Sequence, residues 1–210
     1  MFKLMLSNND KIIIDENDCK VVIYENYLDF EKQHELYLHC KDKPFEFDKP
    51  LGGFLGKNGA KQRRGVYMES LKNIEGYKYS NQIVKSLEMD EILKKNLLCI
   101  NKEIDSDFDS FFMNFYRNNG TDYIGKHSDD ESQMGKNSTV ACLTIADNIE
   151  CIRIMRFREK TTKKKVDVKL YPGSLLVMSG KTQEKWTHEI PKSKTIPGNR
   201  ISLTARKFLK

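Results

Sequence analysis

The pattern of apolar and polar positions changes character about halfway along the chain. Residues 11–24, KIIIDENDCKVVIY, place two short apolar runs on either side of a polar turn, which predicts a pair of strands. Over NYLDFEKQHELYLHC, residues 26–40, Leu28, Leu36 and Cys40 share one side while Asp29, Glu31, Lys32 and Glu35 share the other. That spacing predicts a helix. From Lys41 to Tyr79 the periodicity fades and glycine, proline, lysine and aromatic residues accumulate, which predicts a long loop. A second helix is predicted over 82–104, with Ile83, Leu87, Ile92, Leu93, Leu97 and Ile100 facing the core. Beyond it come short β-like runs, FDSFFMNFY, STVACLTI, ECIRIMRF, KVDVKLY, SLLVMSG and RISLTARKF, separated by RNNGTD, ADN, YPG and IPGN. Many short strands at close spacing point to an α+β fold with a sandwich or jelly-roll core rather than to βαβ units.

Length agrees with one domain: 210 residues suffice for a single core and barely for two, and neither a repeat nor a linker divides them. No apolar run approaches a membrane span, and the opening MFKLMLSNND does not read as a signal peptide. The expectation is a soluble intracellular protein, cytoplasmic or nuclear, acting as a monomer without a membrane partner. The five cysteines are odd in number, scattered and free of CxxC spacing, which argues against a disulfide framework or a zinc site.

Charge changes the picture more. The net charge is +6, but residues 151–210 hold 16 Lys and Arg against 4 Asp and Glu. A basic C-terminal third suits a polyanion such as nucleic acid, and equally a lysine-rich solvated surface. The segment KNGAKQRR, residues 57–64, carries four basic residues and no acid, and Tyr67, Tyr77 and Tyr79 follow it. Basic side chains interleaved with aromatics can hold phosphates by charge and bases by stacking. A loop whose tyrosines pack on the core would read the same way.

Candidate chemistry gathers around the scarce histidines. His127 has Asp129 two residues on, so in an extended segment both point the same way, and His188 lies 61 residues later. Two imidazoles and a carboxylate form the facial triad of non-haem Fe(II) oxygenases. A hydrated GKHSDDE loop is the competing interpretation. In RISLTAR, Arg200, Ser202, Thr204 and Arg206 share one strand face while Ile201, Leu203 and Ala205 share the other. Arginines inside a β core are costly unless each meets an anion: a dicarboxylate would satisfy one by bidentate hydrogen bonding and an acid of the SDDE run the other. An edge strand with its arginines in water is the competing interpretation.

NFYRNNGTDYIGKHSDDE (114–131) resembles the AlkB-family pattern N-x-Y-x-x-G-x-D-x-I-x-x-H-x-D-D-E, with one extra residue before the glycine. PGSLLVMSGKTQEKWTH resembles that family's strand and turn leading to W-x-H, and RISLTAR its closing R-x-N-x-T-x-R. QRRGVYMES followed by YKYS resembles its nucleotide-recognition lid. The match covers roughly residues 55–208.

The resemblance implies a double-stranded β-helix core over about 108–208, a lid over about 51–82 and an N-terminal extension over 1–50, with the N-terminal helices packed against the core. It implies Fe(II), 2-oxoglutarate and O2, with iron on His127, Asp129 and His188. 2-Oxoglutarate would lie on Arg200, helped by Tyr116, Asn114 and Ser202. Arg206 would sit beside the metal, braced by Asp130. Glu131 would face the substrate, with Arg63, Arg64, Tyr67 and Tyr79 in the lid, and Trp186 either lining the pocket wall or serving as a core aromatic. The implied reaction is oxidative demethylation of N-alkylated bases such as 1-methyladenine and 3-methylcytosine in DNA or RNA, releasing succinate, CO2 and formaldehyde. An oxygenase acting on protein or lipid, and a non-catalytic nucleic-acid-binding module, are the competing functions. Two positions depart from the family pattern: Ser202 replaces its asparagine, and Ala205 replaces an aromatic.

Overall fold

The computed structural model describes residues 10–49, 63–72, 75–79 and 82–209. Two sheets face each other. The larger has eight strands: β1 (Asp10–Glu16), β2 (Cys19–Tyr24), β3 (Gly65–Ser70), β6 (Leu87–Glu88), β7 (Ser110–Tyr116), β9 (Val140–Ala146), β12 (Leu175–Gly180) and β14 (Arg200–Arg206). Their order is β1-β2-β12-β9-β14-β7-β3-β6. The smaller sheet runs in the order β11 (Lys165–Leu170), β10 (Arg153–Glu159), β13 (Trp186–Ile190) and β8 (Ile124–His127). A hairpin of β4 (Tyr77–Tyr79) and β5 (Gln82–Val84) stands apart. Among the described residues every strand pairing is antiparallel except β3 with β6.

The large sheet is covered on both faces, and side-chain alternation divides the work. Leu143, Ile145, Ile201 and Leu203 pack on one face with two helices, α1 (Phe30–Cys40) and α2 (Glu91–Ile104). Cys142, Leu176 and Met178 point the other way and meet Met155, Phe157, Trp186 and Ile190 of the smaller sheet. All seven residues of β14 are buried, so its polar row of Arg200, Ser202, Thr204 and Arg206 is enclosed between the sheets rather than in water. The sheet arrangement is that of a jelly roll, with few helices.

Each helix begins where a side chain can cap it. Asp29 accepts a hydrogen bond from the Lys32 amide and Asp90 from the Leu93 amide. Asp90 sets the boundary that the sequence pattern misses. The second helix starts at Glu91, not at 82, and residues 82–84 and 87–88 are short strands. Ile83, Leu87 and Ile92 are therefore exposed, whereas Leu93, Leu97 and Ile100 are buried.

The predicted loop from 41 to 79 also needs correction. Its part 65–70 is β3, buried along its whole length and paired residue for residue with β7. A strand covered on both faces has no alternation to betray it. Within the expected N-terminal extension, residues 10–24 form β1 and β2, which extend the large sheet through β12. Residues 51–62, most of the expected lid, lie outside the described residues.

Burial predicts stability. Leu97→Ala, at a fully buried site, should lower unfolding free energy by about 2–5 kcal/mol, while Ile92→Ala should stay within about 0.5 kcal/mol. Urea denaturation of the two variants measures the difference.

Candidate active site

Between the sheets lies a cavity of about 310 Å³. Its metal-ligating corner is built by strand register. β8 pairs with β13 so that His127 stands opposite His188, their rings 4.3 Å apart. Asp129 follows β8, with its amide donating to the side-chain oxygen of Gln183 at 2.9 Å. Gln183 belongs to the short helix α3 (Thr182–Lys185), which the turn at Gly180 aims back at the sheet. Gly180 has φ +61 and lies against the Asp18 carbonyl, which a Cβ would strike, so only glycine makes this turn without strain.

One ligand atom from each of His127, Asp129 and His188 lies within 4.8 Å of the others. His127 holds its Nδ1 2.8 Å from the Gly125 carbonyl, which requires Nδ1 to carry the proton and leaves the Nε2 lone pair free. Burial depresses both imidazole pKa values, His188 to about 3, so both rings are neutral at physiological pH. The Asp129 carboxyl is held well below the usual carboxylate range: Arg206 and the two histidines outweigh the opposing effect of burial. Two neutral imidazoles and a carboxylate on one side of a cavity fit a divalent iron and leave further positions open.

Arg206 donates through Nη2 to Asp129 Oδ1 at 2.9 Å, and its guanidinium lies over the rings of Tyr77 and Phe112. This corrects the expected brace. Asp130 is exposed and faces Lys160 at 3.9 Å; it does not meet Arg206. The physical reason is alternation, which sends Asp129 inward with His127 and Asp130 outward.

The opposite corner is cationic. Register places Arg200 beside Tyr116, and Ser202 between Asn114 and Thr144. Arg200 donates through Nη2 to Thr144 Oγ1 at 3.0 Å, yet its buried Nε has no partner, and no carboxylate pairs with it among the described residues. Asn114 donates to Ser202 Oγ at 3.3 Å and accepts from Arg64 Nε at 2.5 Å. The Tyr116 ring lies 5.2 Å from each of the Arg153 and Arg200 guanidinium carbons.

Six buried polar side-chain atoms lack a partner among the described residues. Four of them, Arg200 Nε, Arg206 Nε, Arg206 Nη1 and Glu131 Oε2, belong to residues lining this one cavity. Buried polar atoms are nearly always satisfied, so the concentration here marks space for a polar ligand. The donor set at Arg200 fits a carboxylate. Glu131 shares a hydrogen bond with Tyr77, and burial raises its pKa.

The other expected substrate residues divide. Arg63 is exposed at the mouth and Arg64 is buried inside, bonded to Asn114. Tyr67 is not a lid residue: it is buried in the helix-facing core and donates to Glu69. Trp186 packs in the inter-sheet core and does not line the cavity, which settles its two alternatives in favour of packing. The Tyr79 side chain lies outside the described residues. Much of the basic C-terminal third is neutralised or buried: Arg156 pairs with Asp167, Arg158 with Glu189, and Arg153, Arg200 and Arg206 are interior.

Sequence reasoning missed Thr144 and Gln183. A lone threonine within VACLTIA, in step with Cys142, was a signal for the first. Gln183 had none, because its partner is 54 residues away.

Comparison with known proteins agrees with this geometry. The model of a family described as the 2OG-Fe(II) oxygenase superfamily matches residues 20–206. DNA oxidative demethylase ALKBH2 of Arabidopsis thaliana is 26% identical over 211 residues, covering 90% of this chain and 66% of that protein. Alpha-ketoglutarate-dependent dioxygenase alkB homolog 3 of Bos taurus is 34% identical over 108 residues, covering 47% of this chain and 36% of that protein. The aligned part thus spans between about a third and two thirds of the length of these relatives. The solved structure of OsALKBH1 superposes with a TM-score of 0.60 at 16% identity, covering 89% of this chain and 97% of that one, a likeness of fold.

The depressed imidazole pKa has a measurable consequence. Because the folded value for His188, about 3, lies below its ordinary 6.5, the unfolded chain takes up a proton that the folded chain refuses. The metal-free protein should therefore lose stability as pH falls from about 6.5 toward about 3. His188→Asn should flatten that slope in urea denaturation at a series of pH values.

Proposed function

From the premise that the chain belongs to the 2OG-Fe(II) oxygenase superfamily, we propose that it removes alkyl groups oxidatively from nucleobases in DNA or RNA, with 1-methyladenine and 3-methylcytosine as substrates. The carrying observation is the juxtaposition, in one cavity, of the His127, Asp129 and His188 cluster with the buried, carboxylate-free Arg200. The named relatives, a DNA oxidative demethylase and an alpha-ketoglutarate-dependent dioxygenase, support it.

Bound iron with 2-oxoglutarate and O2 supplies the oxidising power for attack on an inert N-methyl group, yielding succinate, CO2, formaldehyde and the unmodified base. The chain's residues supply position. His127, Asp129 and His188 hold the metal, and Arg206 keeps the Asp129 carboxylate charged and oriented. Arg200 takes the far carboxylate of 2-oxoglutarate, with Thr144 fixing the guanidinium and Tyr116 packed against it. Asn114 and Ser202 complete that wall, and Arg64 fixes the asparagine amide.

Glu131 faces the substrate. Methylation at the pairing edge makes adenine or cytosine cationic, and a recessed acid with an unpaired oxygen is complementary to that charge. A base must leave its stack to reach a site this enclosed. In this reading Arg63 and Tyr77, which line the cavity, belong to a substrate-recognition lid.

Two experiments test this reading. Purified protein incubated with Fe(II), 2-oxoglutarate, ascorbate and methylated oligonucleotides should release succinate, and mass spectrometry should show the loss of one methylene per lesion. His127→Ala should abolish both. Succinate without any demethylated DNA or RNA would transfer the activity to a protein or lipid substrate, and no succinate at all would leave a binding module.

Second, Arg200→Lys keeps the charge but loses the planar fork. It should weaken 2-oxoglutarate binding by about 10- to 100-fold in calorimetric titration. Unchanged affinity would remove Arg200 from the cosubstrate site.

A further inference from the structure

Arg153 is a buried cation that lines neither corner of the cavity. It opens β10, whose inward row is Arg153, Met155 and Phe157. Met155 lines the cavity, and the Phe157 ring lies 5.9 Å from that of His188. Arg153 itself bonds to backbone. Its Nη2 donates to the Asp122 carbonyl at 3.0 Å and to the Pro191 carbonyl at 2.8 Å. The Asp122 carboxylate is taken by Arg117, and no carboxylate pairs with Arg153 among the described residues.

Those two carbonyls flank a seam in the small sheet. β8 and β13 carry the facing histidines but share two register pairs, His127 with His188 and Ile124 with Ile190, with an irregularity between them. A ladder is locally interrupted at such a shift, so backbone bonding holds these strands weakly. Asp122 lies two residues before Ile124, and Pro191 one residue after Ile190. Arg153 therefore joins the two chains just beyond the point where their pairing ends. The pairing of β10 with β13 also stops short, at Arg156 opposite Glu189. One side chain thus continues across three strands a sheet that the backbone no longer ties together.

The same guanidinium reaches the opposite sheet. Its carbon lies 5.2 Å from the centre of the Tyr116 ring, the distance at which Arg200 also stands from that ring. Burial and the neighbouring Arg200 both work against the charge of Arg153. A neutral packing residue would avoid that cost, so the cation is placed for its geometry rather than for stability.

We propose that Arg153 is a positioning residue for both corners of the cavity at once. It holds the seam between β8 and β13 closed, so that His127 and His188 stay opposed, and it fixes the Tyr116 ring against which Arg200 lies. It touches neither metal nor cosubstrate. The proposal rests on the reading of one corner as the iron site and the other as the carboxylate site.

The test is anaerobic calorimetry, with Fe(II) titrated alone and 2-oxoglutarate titrated at saturating Fe(II), alongside urea denaturation of each variant. Arg153→Met should weaken both ligands by about tenfold, the scale on which groups behind a metal ligand act. Arg153→Lys keeps the charge but is shorter and lacks the planar face, so it should fold and still bind both ligands more weakly than wild type. Leu97→Ala, in the helix-facing core, should lower the urea midpoint and leave both affinities unchanged.

Wild-type affinities in Arg153→Lys, or in a folded Arg153→Met whose urea midpoint alone has dropped, would overturn the role. Weakening of one ligand without the other would overturn it too, as would equal losses in Leu97→Ala. A wild-type protein that does not bind both ligands would instead remove the two-corner reading, and this role with it.

Discussion

The buried ion pair between Arg206 and Asp129 is the constraint on which the rest of the site depends. Both side chains are at most 5% exposed, and their 2.9 Å contact closes the end of β14 against the segment after β8. Such a pair contributes little net stability, but breaking it strands a buried charge at a cost of about 3–5 kcal/mol. Its contribution is geometric. Asp129 is fixed by Arg206 from the large sheet and by Gln183 from α3, while Arg206 is packed between the Tyr77 and Phe112 rings. The carboxylate is therefore ionised and aimed at the two histidines before any metal arrives, and His188 and His127 are brought opposite each other by strand register alone.

The cavity has opposed halves because one strand supplies both. β14 carries Arg206 at one end and Arg200 at the other, on the same face, with Ser202 and Thr204 between them. The first guanidinium is answered by protein; the second has a threonine, a thiol and a tyrosine ring around it but no anion among the described residues. A single row of alternating residues thus separates a self-neutralised metal corner from a cationic corner that needs a ligand.

What is legible in the chain follows from where the signal is local. Alternation in RISLTAR places its polar row inward, and H-x-D spacing brings His127 and Asp129 to one side, both of which the structure reproduces. Alternation is also the rule that turns Asp130 outward, since adjacent residues in extended chain cannot share a face. β3 is hidden because a strand buried on both faces has no period, and Tyr67 within it therefore reads as a lid residue. The second helix reads as starting early because exposed Ile83 and Leu87 happen to continue the helical spacing backward past the Asp90 cap. Gln183 and the link from Arg64 to Asn114 depend on contacts between distant segments, which no local pattern encodes.

The central claim is that metal and cosubstrate occupy one cavity and are held by its two corners. Anaerobic calorimetric titration measures this most directly, with 2-oxoglutarate added in the presence and absence of Fe(II), and Fe(II) added in the presence and absence of 2-oxoglutarate. The account predicts that each ligand tightens the other and by the same factor, as reciprocal linkage between ligands of one cavity requires. Binding of 2-oxoglutarate with the same affinity whether or not iron is present would contradict it.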